Sequence, residues 1–123
     1  MILVDTSIWI DHLRAGDATL VALLESGRVL AHPYVIGELA LGSLKNRSAV
    51  IPTLNYLPKA TVATDSEVLR FIDEQPLFGL GIGYVDAHLL AATRLTPGTA
   101  LWTRDKRLAA IAESLSLAAK LSH

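Results

Sequence analysis

A repeated order constrains this chain most: a short, uninterrupted apolar run followed by a longer segment carrying helix signals. Residues 2–4 (ILV), 28–32 (RVLAH), 60–63 (ATVA) and 100–102 (ALW) are the apolar runs. Runs of this length suit strands buried on both faces of a parallel sheet. Helical patterns lie between and after them. One covers 7–14 with Asp5 or Thr6 as cap, a second covers 17–26 and stops at Gly27, and a third, 33–44, opens on Pro33. Others cover about 47–57, 64–75 with a capping box from Thr64 to Glu67, 85–95 ended by "TPG", and 104–115. The tail at 117–123 adds a short edge strand. The alternation predicts an α/β fold, a three-layer α/β/α sandwich around a parallel sheet of four to five strands, in one domain over 1–123.

Composition sets the class. Hydrophobic residues make up 51% of the 123 and charged residues 19%, which excludes a disordered chain. There is no cysteine, so disulfides and thiolate metal sites are excluded and a reducing compartment fits. The start of the chain lacks a basic segment ahead of its apolar run, and no uncharged stretch nears the ~20 residues of a membrane helix. A cytoplasmic location is the expectation. The mean hydropathy of +0.40 is high for a small domain and points to a partner interface. A net charge of −1 speaks against nucleic acid only if the acids are spread evenly.

They are not. The strand at 2–4 runs straight into Asp5, Thr6 and Ser7, and the strand at 100–102 runs into Thr103 and Asp105. In an open parallel sheet, sites form beyond the carboxyl ends of the strands. Two strands thus deliver an aspartate and a hydroxyl to one edge. Residues two apart in extended chain share a side, so Thr103 is placed to orient Asp105, and Ser7 to serve Asp5. The simpler role for either aspartate alone is a helix cap. Glu38 interrupts an otherwise apolar helix, where an unpaired carboxylate is costly, or else occupies a narrow solvent stripe. Asp86 lies in the first turn of a helix, where the macrodipole favours it.

Asp5, Glu38, Asp86 and Asp105 form an all-oxygen donor set that suits Mg²⁺ or Mn²⁺ rather than zinc. Such a site can activate water against a phosphodiester and steady the leaving oxygen. With those four set aside, eleven Lys and Arg outnumber the eight acids that are left, which readmits RNA as a partner. Arg104, Lys106 and Arg107 flank Asp105 as candidate phosphate contacts, with Arg14 a further one.

The pieces "LVDTSIWID", "VIGELALG", "GIGYVDAHLLAA" and "LWTRDKRL" together resemble a PIN domain, and within that group the VapC-type toxins of toxin–antitoxin pairs. The resemblance spans nearly the whole chain. It implies a metal-dependent endoribonuclease that cleaves transfer or ribosomal RNA and so inhibits translation. It also implies a homodimer, inhibited by a VapB-type antitoxin in a heterotetramer or larger complex. By the same resemblance, Asp5, Glu38, Asp86 and Asp105 are metal-binding acids, and Thr6, Ser7 and Thr103 are supporting hydroxyls.

Other motifs carry less. "GLGIG" at 79–83 lacks the third glycine of a dinucleotide fingerprint, because position 84 is tyrosine; its glycines instead allow close approach to a loop. "LVDTS" has Ser7 where a dehalogenase-type phosphatase needs a second acid. His88 points roughly 160° away from Asp86 on a helix and reads as a packing or surface residue. His12 and His32 have no partner at metal spacing, His123 is terminal, and Trp9 belongs to the core or to a dimer interface. A non-catalytic binding module is the main rival, although a pure binder gains nothing from clustered like charge. A DNA nuclease is a second rival, which lacks room here for DNA-holding elements.

Overall fold

The computed structural model describes residues 1–121. In chain order its elements are β1 (Ile2–Val4), α1 (Thr6–Ala15), α2 (Ala18–Glu25), β2 (Val29–Leu30) and α3 (Pro33–Leu41). Then come α4 (Arg47–Tyr56), α5 (Asp65–Glu74), α6 (Tyr84–Leu95), β3 (Ala100–Trp102) and α7 (Lys106–Ser114). The strands form a parallel sheet in the order β2-β1-β3. β1 is central, and all three of its residues are buried, as a continuous apolar strand requires.

Among the described residues the sheet has three strands where four to five were expected, extended by a single bridge on each side. Ala31 bridges to Lys59 beyond β2, and Leu101 bridges to Ala118 beside β3. The run at 60–63 does not continue as a strand. Proline at 58 precedes it, and the Thr61 N–H goes to the Thr96 hydroxyl at 2.9 Å instead of to a neighbouring strand. The Ala60 N–H still donates to the Ala31 carbonyl at 3.0 Å, so pairing stops after the first residue of the run, while Ala60 and Ala63 remain buried. The tail does add an edge contact, with the Leu101 N–H bonded to the Leu117 carbonyl and the Ala119 N–H to that of Leu101. Ser122 and His123 lie outside the described residues.

Helix boundaries follow local chemistry. The capping box of α5 forms as expected, with the Glu67 N–H bonded to the Thr64 hydroxyl and the Thr64 N–H to the Glu67 carboxylate. α3 is capped by His32, whose Nδ1 accepts from the Tyr34 N–H at 3.0 Å, an unusual residue in that position. Burial, with the neighbouring His88 adding to it, pushes the His32 imidazole down to about 4, which keeps it neutral and able to accept. α6 is buried over seven consecutive residues, Ala87 to Thr93, and packs against α5 and β3. His88 is one of the seven; its Nε2 lies 3.3 Å from an Asp65 carboxylate oxygen, and Tyr34 and Tyr84 pack on its ring. Trp9 resolves to the core, at 4% exposure.

Arg104 straps the sheet edge to the first two helices. Its guanidinium donates to Asp11 of α1 and to Asp17, the N-cap of α2. Asp17 also accepts the Leu20 N–H at 2.9 Å, and that bond is the leading reason its carboxyl lies below the ordinary value; burial opposes the shift and Arg104 assists it.

Asp17→Ala, which loses both cap and ion pair, is expected to cost about 1–2 kcal/mol in urea unfolding. Asp17→Asn keeps a capping oxygen and is expected to cost less than about 1 kcal/mol. A depressed carboxyl stabilises the fold above its unfolded value and ceases to as pH falls through the folded one. The deficit of Asp17→Asn is therefore present at neutral pH and shrinks below pH 3.8.

Candidate active site

The register of β1 against β3 builds the first half of the site. Val4 pairs with Trp102, the last residue of each strand, and the Asp5 N–H donates to the Trp102 carbonyl at 3.0 Å. Asp5 and Thr103 therefore leave the sheet side by side. The Thr103 hydroxyl donates to Asp5 Oδ2 at 2.7 Å, and the Ser7 hydroxyl donates to the same oxygen at 2.9 Å. Ser7 Oγ in turn accepts the Arg104 N–H at 3.0 Å. Asp5 occupies the N-cap position of α1, yet its side chain makes no capping bond. At 7% exposure it is the most buried of the four acids, its oxygen held by hydroxyls and its place explained by neither cap nor ion pair.

The expected pairing of Thr103 with Asp105 takes another form. Thr103 Oγ1 accepts the Asp105 N–H at 3.1 Å, while its proton goes to Asp5. Asp105 is the N-cap of α7; its Oδ1 accepts the N–H groups of Arg107 and Leu108 at 2.9 and 3.0 Å. Asp86, in the first turn of α6, accepts the Gly83 N–H at Oδ2, 3.3 Å away. Glu38 projects from α3, where Oε1 accepts the Thr6 hydroxyl at 2.7 Å.

In all four carboxylates the hydrogen bonds fall on one oxygen only, which leaves the second without a protein donor among the described residues. The four also feel one another. Burial is the main force lifting the Asp86 carboxyl above its ordinary value; the Gly83 N–H opposes it, and the charges of Asp5, Asp105 and Glu38 all push it further up. The acids thus come from four separate parts of the chain into one electrostatic neighbourhood.

Among the described residues, no three His, Asp or Glu side chains converge into a ready-made cage for an ion. Mg²⁺ does not ask for one: it keeps several waters and takes one or two carboxylates together with substrate phosphate oxygens. Four hard oxygen donors, each oriented through its other oxygen, fit a cation of that kind.

The basic residues divide. Arg104, expected at a phosphate, is instead engaged by Asp11 and Asp17, partners that nothing in the motif around Asp105 announced. Arg107 reaches the Gly81 carbonyl at 3.5 Å and packs against that glycine, where a Cβ would sit 2.5 Å from its Nη1. What approaches the glycine loop closely is thus a guanidinium of this chain; Gly81 suits glycine through its φ of +81°, since the exposed Arg107 side chain can turn aside from a Cβ. Lys106 and Arg14 are exposed.

A PIN domain model matches residues 2–114. The chain belongs to the PIN-domain family, and within it to the VapC type. It is 54% identical over 124 aligned positions to Ribonuclease VapC32 of Mycobacterium tuberculosis, in strain CDC 1551 / Oshkosh and likewise in strain ATCC 25618 / H37Rv. Each alignment covers 99% of this chain and all of the relative.

A carboxyl raised by burial and like charge destabilises the folded state once it ionises, a penalty absent below the unfolded value and complete above the folded one. Asp86→Asn is therefore expected to melt, in EDTA at neutral pH, at a temperature equal to or above the parent's. The gap should close as pH approaches 3.8, with thermal unfolding across pH as the measurement.

Proposed function

We propose that this protein is a divalent-metal-dependent endoribonuclease, the toxin of a toxin–antitoxin pair, acting through Asp5, Glu38, Asp86 and Asp105. The observation that carries the proposal is the set of four carboxylates from separate elements, three of whose charges bear on Asp86, each with one oxygen held by the protein and one not. Like charge gathered in one place costs a fold stability, and a bound cation relieves that repulsion. The name of the relative, a ribonuclease, supports RNA as the substrate.

Asp5, Glu38, Asp86 and Asp105 would hold Mg²⁺ or Mn²⁺, and the bound cation supplies Lewis acidity and charge neutralisation at a phosphodiester. The chain's own part is orientation. Ser7 and Thr103 fix the Asp5 carboxylate through one oxygen, Thr6 fixes Glu38 across the gap between α1 and α3, and the α6 and α7 backbones fix Asp86 and Asp105. Arg14, Lys106 and Arg107 are the candidate contacts to flanking phosphates. Transfer or ribosomal RNA is the proposed target, with loss of translation as the result. A VapB-type antitoxin is the proposed inhibitor of a homodimeric toxin in the cytoplasm. One domain is proposed to contain all of this.

Incubation of the pure protein with RNA is expected to yield cuts in Mg²⁺ or Mn²⁺, none in excess EDTA, and 5′-phosphate with 3′-hydroxyl ends. Asp5→Asn preserves size and an accepting oxygen but removes charge, and is expected to lower cleavage at least a hundredfold, about 3 kcal/mol of barrier, while remaining folded. Cutting in EDTA, 2′,3′-cyclic phosphate ends or a fully active Asp5→Asn would each refute the mechanism.

A further inference from the structure

A cleft of about 450 Å³ opens between the later turns of α1, the end of α3 and the loop that follows it. Its walls are aliphatic, from Ile10 and Leu13 on one side and Leu39 and Leu44 on the other. Two cations, Arg14 and Lys45, line it, and its single acid is Glu38, one of the four acids of the site above. Cleft and acid site therefore meet at Glu38.

Several of the chain's other cations are engaged within it, although Lys106, Arg28 and Lys120 have no partner among the described residues. Arg104 is ion-paired, Arg47 donates to the Ala40 carbonyl, Lys59 to that of Asn55, and Arg107 to that of Gly81. Arg14 and Lys45, both exposed, engage no group of the described chain. Two uncommitted positive charges over an apolar floor are complementary to a ligand that is flat and apolar in one part and anionic in another. The volume falls within the range of small-ligand pockets. A single nucleotide has that character: the aliphatic walls take the base and the cations take phosphates on either side of it.

We infer that this cleft is a nucleotide subsite, in which Arg14, Lys45 and Leu44 hold the residue of single-stranded RNA next to the phosphodiester presented to the acids. The inference rests on the ribonuclease reading above and adds a specificity-determining pocket to it. Arg14 and Lys45 act on affinity through phosphate charge, Leu44 through contact with the base. These two kinds of contact leave different signatures.

The test is fluorescence anisotropy with a fluorescein-labelled, single-stranded oligoribonucleotide in EDTA over a range of salt, beside cleavage kinetics in Mn²⁺. Arg14→Gln with Lys45→Gln is expected to weaken binding about tenfold at low salt and to flatten the dependence of log K on log salt by about 0.7 for each cation removed. The loss in cleavage should appear mainly in KM. Leu44→Ser is expected to weaken binding severalfold with the salt dependence unchanged. Circular dichroism melting at the parent's temperature establishes that each variant is folded. A parent that cleaves RNA while all of these variants bind and cleave as it does would overturn the subsite and leave the nuclease reading standing. Variants that keep RNA affinity but lose the cognate antitoxin would give the cleft to a protein segment, and also overturn it. A parent that neither binds nor cuts RNA would overturn both readings.

Discussion

The pairing of β1 with β3 is the constraint on which the rest of the site depends. Because the strands are parallel and in register through Val4 and Trp102, whatever follows each of them emerges at the same height. A slip of one residue would exchange the two buried faces of β1, disturb the packing on both, and carry Asp5 away from the Thr103 hydroxyl. The apolar side chains of the strands thus serve chemistry indirectly. Burying Leu3, Val4 and Leu101 fixes the register, and the register places a carboxylate within reach of two hydroxyl donors.

Assembling four acids in one neighbourhood has to be offset somewhere. Asp5 stands at the N-cap of α1, Asp105 at that of α7, and Asp86 in the first turn of α6. A helix N-terminus favours negative charge by roughly 0.3–1 kcal/mol at an exposed site. Three helix dipoles therefore converge on the acids and partly cancel their repulsion. Glu38, in the body of α3, has no such help and takes a hydroxyl from the neighbouring helix instead. Positions forced by strand-to-helix turns and positions favourable for anions coincide, a known property of α/β folds.

Much of this was legible in the residues. The order of strands and helices, the capping box at Thr64 and the isolation of Glu38 in an apolar helix are local patterns, and local patterns survive in a linear text. What was hidden depends on contacts between distant segments. Residues 60–63 have the composition of a strand, but after Ala60 the pairing ends where the Thr61 N–H turns to Thr96, more than thirty residues away. Arg104 looked free because its partners, Asp11 and Asp17, are some ninety positions earlier. The donor to Asp5 from Thr103 was within reach of register arithmetic, since both follow the final residue of an apolar run. His32 as a cap was not, because only burial beside His88 keeps that imidazole neutral.

The one-sided hydrogen bonding of the four carboxylates separates what folding needs from what charge supplies. An amide in place of any of these acids can still accept the bond that its fold requires, through the oxygen it retains. Such a change removes charge without removing the contact that positions the side chain. A duplicated copy of this gene could therefore drift into silence one acid at a time and still yield a well-packed, abundant protein. Quality control reads exposed apolar surface, which these substitutions leave alone. Abundance and intact packing would then say nothing about whether such a copy had kept its chemistry.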